Sequence, residues 1–345
     1  MWPGRSSSTR LILKRAIRLG FDPIVKNARA PLGPFFCVLC LNWWGMPVLL
    51  TLGGGMSKVL TVMNMKGGVG KTTVALNIAG ALAFYKWRDK SVRKVLVIDY
   101  DPQFNLSQAY IQPAEYFRID QDRKTILSVL QESSKDLNPY KIQIPGSSQP
   151  PSVAELSKTV FSYSSGAQLS IVPSTLDLMY VALGRAETQI SVIEARFKKF
   201  IEGCRKEFDL IVIDCHPAGS LMTKTALGNS DHVLIPVVPE RYAVRGIGLM
   251  LDFIESKKLG QHGPVPHILF NRVPLKGVTQ EELAIRANAK YSKYCVNNTL
   301  KKYKAFSEPE GGKGFVWHNR KPHSKKAKTN LQHVAYEVGE RIGVW

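Results

Sequence analysis

The 345-residue sequence predicts an α/β fold, a mostly parallel sheet with helices on both faces. Three observations predict it. Apolar runs recur along the chain and alternate with segments of helical spacing, as in linked βαβ units. Several of those runs are apolar throughout, which fits strands buried on both faces. The first run feeds a glycine-rich turn, KGGVGKTT at residues 66–73, that opens into a helix. A strand before and a helix after make such a turn a phosphate loop.

The elements follow in order. Lys58 to Met63 carries the β-branched run VLTV and reads as the first strand. Thr72 to Tyr85 places Val74, Ile78, Leu82 and Tyr85 at helical spacing. Val95 to Ile98 is a second strand, ending in Asp99 and Asp101, and Leu169 to Val172 is a short third. Arg196 to Arg205 is helical, and Leu210 to Ile213 is a strand that runs into Asp214. Val233 to Val238 and His267 to Phe270 complete the strand set. Residues 132–165, rich in Ser, Pro, Gln and Gly, read as a surface insertion. Near the C-terminus Leu331, Val334, Ala335, Val338 and Ile342 form one apolar helical stripe, read as core. No internal repeat is evident.

Composition is globular, 44% hydrophobic and 21% charged, yet the formal net charge is +20. Such an excess suggests an anionic partner, nucleic acid or an anionic membrane surface. It is concentrated in two blocks. Residues 1–55 hold seven Lys/Arg against one Asp, and residues 286–328 hold twelve against two Glu, leaving the central body nearly neutral. Five scattered cysteines, Cys37, Cys40, Cys204, Cys215 and Cys295, argue for a reducing compartment. Cys37 and Cys40 form a C-x-x-C without the two further ligands nearby that a structural zinc site needs.

Residues 1–55 differ from the rest: a basic stretch precedes Ala30 to Ser57, which has no charged residue. A mis-assigned start is the favoured reading, since Met56 is followed at once by a complete first strand. A disordered extension and a membrane segment are the alternatives. The uncharged run is long enough to span a bilayer but is interrupted by Asn42, Gly45 and Pro47. Residues 56–345 are then the main domain, with the insertion at 132–165 and the basic region at 286–328.

In the loop itself, Gly67, Gly68 and Gly70 let the backbone of Lys66 to Thr73, Val69 included, wrap a phosphate with its N–H groups. The helix N-terminus adds positive potential. Lys71 is placed to reach the β and γ phosphates and the Thr72 hydroxyl to meet Mg²⁺. The usual pattern has glycine at position 65, where this chain has Met65, and it carries a second lysine, Lys66. Two further motifs agree. VLVIDYDPQFNLS (95–107) puts Asp99 and Asp101 at a strand's C-terminal end, where open α/β sheets build their sites. One such carboxylate can hold a metal-bound water while the other orients the attacking water. DLIVIDCHPAGS (209–220) runs apolar residues into Asp214, as a Mg²⁺-organising carboxylate requires.

Together KGGVGKTT, DYDPQ, IVIDCHP and ALGNSDHVLIPVVPE resemble the ParA/MinD family of ATPases, from about Met56 to Asn271, with a fainter match at AYEVGERI. The resemblance implies ATP and Mg²⁺ as cofactors and a homodimer formed on ATP. It implies that Lys66 is a signature lysine reaching the partner's ATP, a cation supplied in trans as an arginine finger is. It makes Asp101 the acid that positions water, Thr72, Asp99 and Asp214 the metal-site residues, and Asn271, with Arg272 beside it, the reader of the adenine edge. His216 stands where the family has a proline, which puts the second switch in doubt; it is read as a tolerated loop residue, with a catalytic part left open.

Within that family the reading is a cytoplasmic, nucleoid-associated DNA-partition ATPase. It binds DNA without sequence preference through residues 286–328, and a ParB-like protein stimulates its hydrolysis. The alternative is a MinD-like membrane-surface or protein-cargo positioning ATPase. The C-terminal stripe's other face, Glu337, Glu340 and Arg341, is not basic enough for an anionic membrane. An electron carrier would need paired cysteines in the switch regions, where Cys215 stands alone.

Overall fold

The structure is a computed structural model of the whole chain. It describes residues 37–41, 47–51, 57–87, 92–131, 149–181, 187–216, 221–241, 243–256, 263–318 and 324–345. The chain divides into two units, Met1–Met56 and Ser57–Trp345. In the first, β1 (Cys37–Leu41) and β2 (Pro47–Thr51) pair antiparallel, Cys37 opposite Thr51 and Leu41 opposite Pro47. CVLCL and PVLLT are apolar, partly β-branched runs that satisfy their backbone groups by pairing. Among the described residues no helix is long and apolar enough to cross a membrane.

The second unit is built on eight strands: β3 (Lys58–Val62), β4 (Lys94–Tyr100), β5 (Lys158–Ser162), β6 (Gln168–Val172), β7 (Leu210–Cys215), β8 (His232–Val237), β9 (Val265–Val273) and β10 (Leu300–Lys301). Their order is β10-β9-β8-β3-β7-β4-β6-β5, parallel throughout except for the antiparallel edge pair β5–β6. Between the strands run α1 (Lys71–Phe84), α2 (Asn105–Tyr110), α3 (Pro113–Gln121), α4 (Leu127–Leu130), α5 (Val153–Leu156), α6 (Leu178–Val181), α7 (Glu187–Glu207), α8 (Leu221–Gly228), α9 (Ala243–Ser256), α10 (Gln280–Ala287) and α11 (Ser324–Ile342).

Side chains of successive strand residues enter opposite cores, as the pleat dictates. On β4, Val95 and Val97 join α1 and α11, while Leu96 and Ile98 join α7, α8 and α9. On β7, Leu210 and Val212 go with the first core and Ile211 and Ile213 with the second. Both faces are therefore covered, and the uniformly apolar strands have their reason. All five residues of the C-terminal stripe are buried at 1% exposure or less on α11.

Two stretches read from composition turn out more structured. The proposed insertion contributes α5 and the edge strand β5, because TVF within the Ser-rich stretch pairs with β6; residues 132–148 lie outside those described. The basic block 286–328 is not a continuous charged face. It is threaded by buried Val296, Leu300, Phe306, Phe315, Val316 and Trp317. From β10 the chain crosses α1, where Asn77 Nδ2 donates to the Phe306 carbonyl at 3.2 Å. It then reaches α2, where the Gly311 and Gly312 N–H groups donate to Gln108 and Ala109, each at 2.8 Å. Trp317 packs against α1, so close that a Cβ on Gly80 would stand 2.2 Å from its ring.

Candidate nucleotide site

The site lies at the C-terminal ends of β3, β4, β7, β8 and β9. β3 ends at Val62, and the loop from Met63 to Gly70 leads into α1, which begins at Lys71. Gly68 and Gly70 have φ of +74° and +84°, conformations a side chain would strain. Lys71 (9% exposed) and Thr72 form the first turn of α1, the position where helix amides attract an anion.

The three acids converge because of strand register. β3, β7 and β4 are adjacent, and Asp214 pairs with Val62 on one side and Asp99 on the other. Asp99 is fully buried, its Oδ2 accepting from the Ser107 N–H at 2.7 Å and Ser107 Oγ at 2.6 Å. Burial dominates and pushes its pKa up to about 7, although the Ser107 bonds oppose the rise. Asp214 is 1% exposed, and burial, then Asp99, drive its pKa well above the carboxylate range, with Thr72 and Lys71 opposing. Thr72 favours the charged form, yet neither Asp214 oxygen closes a hydrogen bond of normal geometry. Two orphaned carboxylate oxygens in a buried site are costly unless something else meets them. Beside a threonine hydroxyl and a phosphate cradle, a hydrated Mg²⁺ held between nucleotide and protein fits that demand. Asp101 is 9% exposed, its Oδ1 accepting from the Gln103 N–H at 3.0 Å.

The remaining expected residues are placed as follows. Lys66 is exposed, and its Nζ pairs with Glu240 Oε2 at 3.0 Å, on the loop after β8. Asn271, expected at the adenine edge, is only 3% exposed; its Nδ2 donates to the Val69 carbonyl at 2.8 Å and its Oδ1 accepts from the Arg272 N–H at 2.9 Å. Arg272 Nη1 donates to the Gly68 carbonyl at 2.7 Å. His216 donates its backbone N–H to the Tyr100 carbonyl at 3.3 Å. Sequence reasoning did not single out Ser107, Asn64 or Glu240. Asn64 anchors the loop entry, donating to the Pro236 carbonyl at 2.8 Å and accepting from the Lys66 N–H at 2.9 Å. Ser107 was inside a quoted motif, but nothing in its spacing marks it as the partner of Asp99.

The family model for the AAA domain matches residues 57–261, a span holding the phosphate loop and all three acids. The chain belongs to that family. Its sequence relatives include Soj and ParA proteins, and solved plasmid-partition and ParA proteins share its fold. It is 29% identical over 207 residues to the sporulation initiation inhibitor protein Soj of Bacillus subtilis, covering 58% of this chain and 65% of Soj, just under two thirds of that relative's length. In fold, this chain is similar to a plasmid partition protein from Borrelia burgdorferi bound to AMPPNP: TM-score 0.60, 20% identity, 82% of this chain and 99% of that one. A second solved relative, pNOB8 ParA bound to nonspecific DNA, matches at TM-score 0.54 and 18% identity over 83% of this chain and 99% of that one.

Proposed function

We propose that this ParA-type chain is a slow, Mg²⁺-dependent ATPase that dimerises on ATP and partitions DNA, binding it without sequence preference in the ATP state. The observation that carries the reading is the orphaned Asp214 carboxylate beside Thr72, level with Asp99 in the sheet. Bound Mg²⁺ would neutralise phosphate charge. The chain's own groups do the rest. The α1 amides and Lys71 hold the β and γ phosphates, and Thr72, Asp99 and Asp214 supply the metal's protein side. Asp101 orients the water for in-line attack. Lys66 leaves Glu240 to reach the nucleotide of a second copy, so that the site is complete only in the dimer. The similarity to a relative solved on nonspecific DNA and the exposed Lys302, Lys304, Lys313, Lys325 and Lys326 support a DNA backbone partner contacted within 286–328. A ParB-like activator and a nucleoid location in the cytoplasm complete the reading.

The test is binding of random-sequence duplex by the full chain, with and without ATP and Mg²⁺, over a salt series. Binding that needs ATP and weakens with salt, with a log–log slope of roughly −0.9 per phosphate contact, is expected. Absence of binding in both nucleotide states, together with recruitment to anionic liposomes, would replace this reading with the membrane-surface alternative.

A further inference from the structure

The end of β9 makes an unusual connection. β9 is two strands away from β3 in the sheet, yet Asn271 and Arg272 at its C-terminal end grip the loop that β3 feeds. Arg272 has φ of +55°, a left-handed conformation uncommon for a residue other than glycine. Such strain persists only where surrounding contacts over-determine it. Here the contacts are explicit: the Arg272 N–H is taken by Asn271 Oδ1, while the two side chains donate to adjacent carbonyls, Gly68 and Val69. Gly70 must be glycine partly for this reason, since a Cβ there would lie 2.6 Å from Asn271 Nδ2.

The geometry has a direct effect on the amides. In a trans peptide the C=O and N–H of one plane point in opposite directions. Drawing the Gly68 carbonyl onto Arg272 aims the Val69 N–H the other way. Drawing the Val69 carbonyl onto Asn271 does the same for the Gly70 N–H. Two successive donors of the cradle are thereby turned away from β9 and fixed before any anion arrives. Preorganised donors stabilise phosphate charge without reorganising when it binds.

We propose that Asn271 and Arg272 are positioning residues that set the phosphate-loop amides. The proposal rests on the nucleotide-binding reading above. It makes their effect one on the phosphates, because the carbonyls they fix, Gly68 and Val69, lie in the phosphate cradle.

The experiment measures dissociation constants of the full chain for ATP, GTP and inorganic tripolyphosphate, each with Mg²⁺, in wild type, Asn271→Ala, Arg272→Ala and Arg272→Lys. Asn271→Ala and Arg272→Ala are expected to weaken ATP, GTP and tripolyphosphate by about tenfold, as a lost hydrogen bond to a preorganised loop would. In Arg272→Ala the ATP-to-GTP ratio stays at the wild-type value, and Arg272→Lys, which keeps a donor, recovers part of the loss. A loss confined to ATP, with tripolyphosphate binding unchanged, would overturn the proposal. Arg272 is exposed and its variants keep the buried Asn271, so the outcome does not depend on the Asn271 variant folding. Wild-type chain that binds none of the three anions would overturn the nucleotide reading itself, an outcome distinct from any variant effect.

Discussion

At single residues the site is a set of buried charges held by very few bonds. Asp99 illustrates the consequence. Its carboxyl keeps its proton in the folded chain up to about pH 7, whereas the unfolded chain loses it near 4. Between those values the folded state binds more protons, so this group's contribution to stability falls as pH rises. Asp99→Asn removes that titration and should gain stability relative to wild type between pH 5 and pH 8, by about 2 kcal/mol. Thermal melts of both chains without Mg²⁺ across that range check it; parallel curves would show that Ser107 already holds Asp99 ionised. Lys71→Ala should abolish ATP binding by calorimetry. Lys66→Ala should leave a monomer that still binds ATP, and an ATP-dependent dimer in that variant would remove its role in trans. Asp101→Ala should give a dimer that fails to turn over, read by sedimentation and phosphate release.

These residues were mostly legible beforehand because each sits in a motif whose residue types have a chemical purpose. What was not legible were partners fixed by distance in space. Ser107 and Asp99 are eight positions apart, joined only because α2 folds back onto the end of β4. Glu240 and Lys66 are 174 positions apart. Asn271 was visible as a site residue, but its link to the Val69 carbonyl depends on how far β9 extends past β8, which no spacing encodes.

Among elements, α1 carries the most. It has the phosphate site at its first turn, packs on β4 and β7, and is overlaid by α11 and by the crossing segment from β10 to α2. Its helical spacing was readable because its interior is Ala- and Leu-rich, as was the α11 stripe. The overlay was hidden, since residues 304–318 have neither period and their lysines suggested a solvated region. The buried Trp317 against Gly80 is what holds it down. Trp317→Ala should cost about 3–5 kcal/mol, the usual range for a buried large aromatic. Gly80→Ala should also destabilise, by about 1–3 kcal/mol, because the indole must move. Denaturant midpoints of both variants measure these losses, and a Gly80→Ala chain as stable as wild type would mean the ring has room to shift. β5 was missed for the opposite reason, a short strand concealed in polar, turn-like composition.

For the whole molecule the decisive quantity is where charge sits relative to the buried frame. The central body is nearly neutral and the positive excess lies at 286–328 and 1–55. Within the first of these, Lys290 is paired with Asp252, while Lys302, Lys304, Lys325 and Lys326 lie exposed near the β10 side of the sheet. Replacing those four by Gln should lower DNA affinity at least tenfold in 0.1 M salt and flatten the salt slope, while ATP binding is unchanged. A fluorescence anisotropy titration at several salt concentrations reads both. An unaltered slope would move the contact surface away from this region.

The margins of the sheet have a bearing on how copies can meet. On one side the outermost strand, β10, is only two residues long, with its Lys301 N–H taken by the Asn330 side chain. On the other, β5 is broken by a bulge between Thr159 and Phe161, and its Lys158 is tied to Glu115. Neither margin offers the long row of bare amides on which a neighbouring chain could zip, strand against strand. Extension of this eight-stranded sheet, strand upon strand, is therefore disfavoured at both of its described margins, which turns contacts between copies of this unit towards its loops and helices.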